Sequence, residues 1–257
     1  MTAVAAFGDT GPPLQARIAA AAAAARPDAV VFLGDAVDHH GVRRARRFRA
    51  WTRDMAPVGS RLMAVAGNHD FEKGGSPTRF EAALGTLGCT PERRLRFVFG
   101  DDRIHLVGIS LPWRRGTLPP EDLDWCQGRF DAAEQSAVRV LALHQPLFPI
   151  AGRIGISLDA EPEGRDTLLA RLERWGVRLV LCGHEHLYAR REIGPGILQV
   201  ISGGGGAAHE RAVFGHADVV VDRPHFVLVT SSADGVSLEA RSVDGDLLDR
   251  VALAAAA

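Results

Sequence analysis

Six side chains in this 257-residue chain have metal-centre chemistry, and they fall in five short segments. Asp9 lies in Gly-Asp-Thr-Gly, Asp35 in Gly-Asp-Ala-Val-Asp, Asn68 in Gly-Asn-His-Asp and His144 in Leu-Ala-Leu-His. His184 and His186 share Gly-His-Glu-His. Oxygen and imidazole donors in this mix suit Mn, Fe or Zn rather than a thiolate-loving metal, and the set is large enough for two ions. All but His144 follow a glycine or lie within three residues of one. Glycine permits the sharp turns and close backbone approach that such a site requires.

Two ions ~3.5–4 Å apart can acidify a bound water and stabilise an in-line displacement. A carboxylate bridging them must come from a tight loop between the two sites, and Asp35 is assigned that place. Asp9 and His186 are then expected to hold one ion, and Asn68, His144 and His184 the other. His69 is left over. Directly after Asn68, it is placed to act as general acid toward a leaving oxygen. Taken singly, each signal is weak: Gly-Asp and Gly-Asn are ordinary turn formers, and a lone His144 would read as a core histidine. Their positions relative to the surrounding elements change that weighting.

Apolar runs at Val4–Phe7, Val30–Leu33 and Leu62–Ala66 alternate with helical stretches at Leu14–Ala25 and Val42–Met55. That alternation predicts βαβ units and a parallel sheet. Each strand runs into a motif, and open α/β sheets place ligands at the carboxyl ends of their strands. Further on, Leu95–Phe99 and Ile104–Ile109 read as a hairpin, and Pro119–Pro120 opens a helix through Glu121–Glu134. Val138–Leu143 is a strand delivering His144, Leu168–Trp175 a helix, and Leu179–Cys182 a strand delivering Gly-His-Glu-His. The C-terminal part changes character, with Ile197–Ile201, then Ser202–Gly206, then His225–Ser231 and Val236–Ser242 reading as antiparallel β, and is expected to supply a second sheet packed on the first. The reading is an α/β sandwich of two sheets flanked by helices. With no repeat and no linker, residues 1–257 are expected to form a single domain.

A net charge of −1 gives no pull toward nucleic acid or an anionic membrane. Cys89, Cys126 and Cys182 share no metal-type spacing and read as reduced thiols of a cytoplasmic protein. The first residues lead into the first motif without a basic region or cleavage site, so no signal peptide is expected. The Ala19–Ala25 run is too short to span a bilayer. The alanine, arginine and valine content suggests a GC-rich bacterial genome. Arg43, Arg44, Arg46, Arg47 and Arg49 on the second helix read as a solvated face, with a docking surface for a polyanion as the alternative. Gly203–Gly206, lacking a following helix or lysine, reads as a close-approach turn under the metal centre.

The five segments resemble the calcineurin-like metallophosphoesterase superfamily, and more narrowly its purple-acid-phosphatase-like branch. That pattern runs GDxG, GDxxY, GNH[DE], a histidine on a strand and GHxH. This chain has GDTG, GDAVD, GNHD, LALH and GHEH in the same order. GHEHLYAR and ISGGGGA extend the likeness, which covers about Val4 to Ala207. The resemblance implies a four-layer αββα fold and a dinuclear centre on the six residues named above. It implies a metal-dependent phosphoric ester hydrolase acting on a small-molecule phosphate ester.

Two positions depart from the branch. Its tyrosine ligand would fall at Asp38, so one site lacks its usual fourth protein ligand, and either Asp38 or water fills the place. The sole tyrosine, Tyr188, lies beyond GHEH. Nine residues after His144, where the family often has a histidine near the substrate phosphate, stands Arg153. A guanidinium binds phosphate oxygens well but delivers no proton near neutral pH. The expected activity is a phosphomonoesterase using a metal-bound hydroxide, with a phosphodiesterase or nucleotide pyrophosphatase as alternative and a non-catalytic metal-binding scaffold as a remote one. A protein serine/threonine phosphatase fits less well, because His39 replaces the arginine of the GDxxDRG-type segment.

Overall fold

The computed structural model describes residues 1–37, 44–72, 75–89, 92, 94–111, 117–135, 137–207 and 214–253. In chain order the first part comprises β1 (Ala3–Phe7), α1 (Gln15–Ala24), β2 (Ala29–Phe32), α2 (Arg44–Met55), β3 (Leu62–Ala64) and α3 (Thr78–Thr86). The middle comprises β4 (Phe97–Gly100), β5 (Ile104–Gly108), α4 (Pro120–Asp131), β6 (Val138–Ala142), α5 (Pro162–Arg174) and β7 (Val177–Cys182). It ends with β8 (Tyr188–Gly194), β9 (Ile197–Ser202), β10 (Val219–Val221), β11 (His225–Ser232), β12 (Gly235–Ser242) and β13 (Leu247–Leu253).

Two mixed sheets result. The first runs β13-β12-β11-β1-β2-β3 and the second β10-β8-β9-β7-β6-β5-β4. The apolar strands lack polar alternation because both faces of each sheet are covered. Ala5, Phe7, Val30 and Phe32 point outward to Ile18, Trp51 and Phe80 of α1–α3. Their chain neighbours Val4, Ala6, Val31 and Leu33 point inward to Val140, Leu179 and Leu181 of the second sheet. On the far side, Leu141 and Val180 meet Phe130 of α4, Leu172 of α5 and Trp175 just after it. Three apolar layers separate four layers of structure, which is the αββα sandwich.

The C-terminal strands depart from expectation. The Ile197–Ile201 run (β9) does lie in the second sheet, but β11 pairs antiparallel with β1, so β11–β13 extend the first sheet. The second sheet is made by β4–β10. Strand β13 was not foreseen, since Leu-Leu-Asp-Arg-Val-Ala-Leu has no alternation and becomes a strand by pairing with β12. Helix α3 was missed as well; its Phe80, Ala83 and Leu84 sit at helical spacing, but in nine residues only. Helix α5 begins at Pro162, six residues before the expected Leu168, since proline and Glu163 favour a helix N-terminus. Cys126 and Cys182 are buried free thiols and Cys89 is a half-buried one. Among the described residues no helix is long and apolar enough to cross a membrane.

Candidate metal centre

Parallel strands β1, β2 and β3 of one sheet, and β6 and β7 of the other, end at the same edge of the sandwich. The loops leaving them carry Asp9, Asp35, Asn68, His144, and His184 with His186. Asp9, Asp35 and His184 each follow a glycine and each adopt positive φ, at 57°, 57° and 72°. This left-handed conformation costs a non-glycine residue on the order of 1 kcal/mol. It is held by backbone hydrogen bonds from Asp9 N–H to the Gly34 carbonyl (2.9 Å), from Thr10 N–H to the Asp35 carbonyl (3.0 Å) and from Gly183 N–H to the His144 carbonyl (2.9 Å). Contact is close enough to exclude side chains: a Cβ on Gly183 would lie 2.4 Å from Asp9 Oδ2, and one on Gly203 only 2.2 Å from the Glu185 carbonyl oxygen. The Gly203–Gly206 run therefore packs directly beneath the first motif, with Gly205 N–H donating to the Gly8 carbonyl at 2.9 Å.

His144 is the centre of the cluster. Its Nδ1 lies 2.7 Å from the Leu33 carbonyl, which can only accept, so Nδ1 carries the proton. Around Nε2 stand Asn68 Oδ1 at 3.1 Å, His184 Nδ1 at 3.1 Å and Asp35 Oδ2 at 3.4 Å. Donor atoms of Asp35, His144 and His184 lie within 4.8 Å of one another, and all three residues are buried. Asp9 Oδ2 accepts the backbone N–H of His184 at 2.8 Å. Its other oxygen, Oδ1, is buried without a hydrogen bond and lies 3.6 Å from His186 Nε2.

The electrostatics show what the cluster lacks. Burial pushes the His144 imidazole down, but Asp35 beside it and then Asp9 overcome this and raise it to about 9. Burial likewise opposes ionisation of Asp35, yet His144 holds its carboxyl below the ordinary range. Burial, with Asp35 adding to it, pushes Asp9 well above that range. His184 is held well below its ordinary value by burial and by His144. Lone pairs and carboxylates thus converge on a space that demands positive charge. An unsatisfied carboxylate oxygen beside two groups of imidazole nitrogens fits transition-metal cations.

The sequence pattern of calcineurin-like phosphoesterases matches residues 2–188. The chain belongs to that family. A cAMP/cGMP dual specificity phosphodiesterase of Mycobacterium tuberculosis is 28% identical over 163 residues, which are 63% of this chain and 49% of that protein. This chain spans about half the length of the curated relatives it matches. The structure of purple acid phosphatase PPD1 from yellow lupin (Lupinus luteus) seeds superposes with a TM-score of 0.81 at 18% identity, over 98% of this chain and 53% of that one. A dimetal phosphatase from Danio rerio gives 0.69 at 14% identity over 99% of each chain. At these identities the structural likeness is one of fold.

Three residues to which the sequence assigned no place in the site, Asp70, Arg44 and Glu185, organise this candidate centre. Buried Asp70 accepts backbone N–H groups from Asp35 (2.8 Å), Ala36 (2.9 Å) and Gly67 (2.9 Å), locking the second and third motifs together. Arg44 was expected on a solvated face; it is buried, and it donates to the Phe71 carbonyl at 2.7 Å and to the His69 carbonyl. Of the rest of that run, Arg46 and Arg49 are exposed and Arg47 is half-buried, while Arg43 lies outside the described residues. Glu185, between the two histidines, is fully buried and holds the loop after His144. Along the chain, their place inside GNHD and GHEH was the only available signal for Asp70 and Glu185.

His69 is half-buried, with its backbone N–H on Asp35 Oδ1 at 2.8 Å and its Nε2 4.0 Å from Asp35 Oδ2. Its imidazole therefore flanks the cluster. Arg153 is half-buried; its Nε donates to the His184 carbonyl at 3.2 Å, and its charge reaches both Asp9 and His184. Asp38 lies outside the described residues, as do His39, His40, Trp113 and His209. Tyr188 is buried between the sheets with its hydroxyl on Asp249 at 2.6 Å. A cavity of about 670 Å³ is lined by Phe71, Leu95, Ser110, Leu111 and Leu118 and by none of the six candidate donors. It begins two residues beyond His69.

Proposed function

We propose that this phosphoesterase is a metal-dependent phosphomonoesterase acting on small-molecule phosphate esters. The reading is carried by the convergence of Asp35, Asn68 and His184 on His144 Nε2, with Arg153 gripping the His184 loop. Asn68, His144 and His184 would hold one transition-metal ion, Mn, Fe or Zn, and Asp9 and His186 the other, with Asp35 facing both. Such ions supply an acidified water and charge stabilisation for in-line displacement. His69 stands beside the cluster to protonate the leaving oxygen. Arg153 offers charge-assisted hydrogen bonds to nonbridging phosphoryl oxygens. A monoester dianion carries more charge there than a diester monoanion, so the guanidinium favours monoesters.

A second reading, phosphodiesterase or nucleotide pyrophosphatase, is supported by the name of the Mycobacterium relative. Hydrolysis of a nitrophenyl monoester and of its bis-ester, by the wild type and Arg153→Ala, decides between them. The first reading expects a monoester preference that the variant loses. A wild type preferring the diester makes the second the better one. Elemental analysis without stoichiometric metal, together with activity indifferent to chelator, overturns both.

A further inference from the structure

We infer that Glu185 is a positioning residue that fixes the loop presenting Arg153, and thereby sets how tightly the phosphoryl group is held. The inference rests on the assignment of Arg153 to substrate phosphate.

The loop between β6 and α5 leaves its strand at His144 and brings Arg153 back to the His184 carbonyl before the helix begins. Without a strand neighbour, its backbone N–H groups need other acceptors, because a buried unpaired amide costs as much as a lost hydrogen bond. Glu185 supplies them. Its Oε2 accepts the Ile150 N–H at 2.8 Å, and its Oε1 accepts the Ala151 N–H at 2.6 Å and the Arg153 N–H at 3.4 Å. A carboxylate side chain places two acceptor oxygens where these amides converge. The other side of the loop is tied too, with the Ile150 carbonyl taking the N–H groups of Phe214 (2.7 Å) and Gly215 (2.9 Å).

The consequence falls on Arg153. Its backbone is held by Glu185, and its side-chain Nε by the carbonyl of His184, one residue earlier. Two consecutive residues of one metal motif thus grip both ends of the arginine. A guanidinium orientated this way loses less rotamer freedom when it meets an anion, which improves binding through preorganisation. Glu185 itself has no route to the substrate, being fully buried beneath the loop.

A double-mutant cycle of Glu185→Gln and Arg153→Ala tests this. Glutamine keeps the size but sets an amide donor against a backbone N–H, opening the clamp. The readouts are metal content, kcat and KM on a nitrophenyl monoester, inhibition by inorganic phosphate, and hydrogen exchange at the amides of Ile150, Ala151 and Arg153. Each single variant is expected to raise KM and the phosphate inhibition constant by about tenfold with metal content unchanged, and the double variant to be no worse than Arg153→Ala alone. The three amides should exchange faster in Glu185→Gln. Additive losses, loss of metal in Glu185→Gln, or unchanged exchange overturns the positioning role while leaving the role of Arg153 standing. If Arg153→Ala alone leaves both constants unchanged, the assignment of Arg153 to phosphate falls, and the inference falls with it.

Discussion

The backbone N–H of Asp35 donates to the carboxylate of Asp70 at 2.8 Å, joining two loops through residues 35 positions apart in the chain. Asp70 also takes the amides of Ala36 and Gly67, so one buried side chain sets the spacing between Asp35 and Asn68. Asp70→Ala leaves three buried N–H groups without partners. The expected cost is about 3 kcal/mol, which lowers Tm by roughly 6–12 °C in a chain of this size. Calorimetry on wild type and variant checks it, and a shift under ~2 °C contradicts it.

Asp35 turns one oxygen to His144 at 3.4 Å and the other to the His69 backbone at 2.8 Å, with Asp9 near enough to feel its charge. Replacing it by alanine is expected to abolish both metals together, whereas His144→Ala should deplete one preferentially. Elemental analysis of the three proteins distinguishes the cases. One metal retained at full stoichiometry in Asp35→Ala rules out a bridge.

His69 contributes its backbone to the Asp35 loop and its imidazole to the flank of the site. Alanine keeps the backbone contact, so His69→Ala should retain its metals and lose ~10²–10⁴-fold in rate. The loss should shrink with leaving groups that need no proton. A loss equal for all leaving groups assigns the imidazole to positioning.

Asp249 of β13 accepts from the Tyr188 hydroxyl at 2.6 Å and Arg190 Nε at 2.7 Å, both on β8, and so ties the outer strand of one sheet to the other sheet. Partial burial opposes its ionisation, but Arg190 and Tyr188 outweigh this and hold its carboxyl below the ordinary 3.8. A depressed carboxyl adds stability that is present above the ordinary value and is lost as pH falls through the lower folded one. Acid unfolding of Asp249→Asn should therefore show a smaller dependence on pH below 3.8 than the wild type. Identical curves remove Asp249 from the acid response.

The same tie bears on metal chemistry, because Tyr188 is the only tyrosine and its hydroxyl is engaged away from the cluster. An iron-loaded protein is expected to lack a tyrosinate charge-transfer band, and a visible purple band reports a tyrosinate ligand after all.

Much of the centre was legible along the chain. Strands β1 and β2 are unbroken apolar runs, and β6 and β7 are interrupted only by Arg139 and Arg178 near their starts, because both faces of each sheet are covered. Glycines precede Asp9, Asp35 and His184 because the backbone must turn sharply into positive φ and pack within van der Waals contact of its neighbours. Such requirements are local, so single segments display them. Three things were decided only in three dimensions. The C-terminal strands joined β1 rather than forming a sheet of their own, since pairing partners are chosen by shared edges and not by strand sequence. Arg44 went inward because the carbonyls of His69, in the third motif, and Phe71, just after it, stood at the reach of its guanidinium. Asp70 and Glu185 became organisers because amides from distant loops converged on them, and a carboxylate in a motif looks the same along the chain whether it binds a metal, a backbone or water.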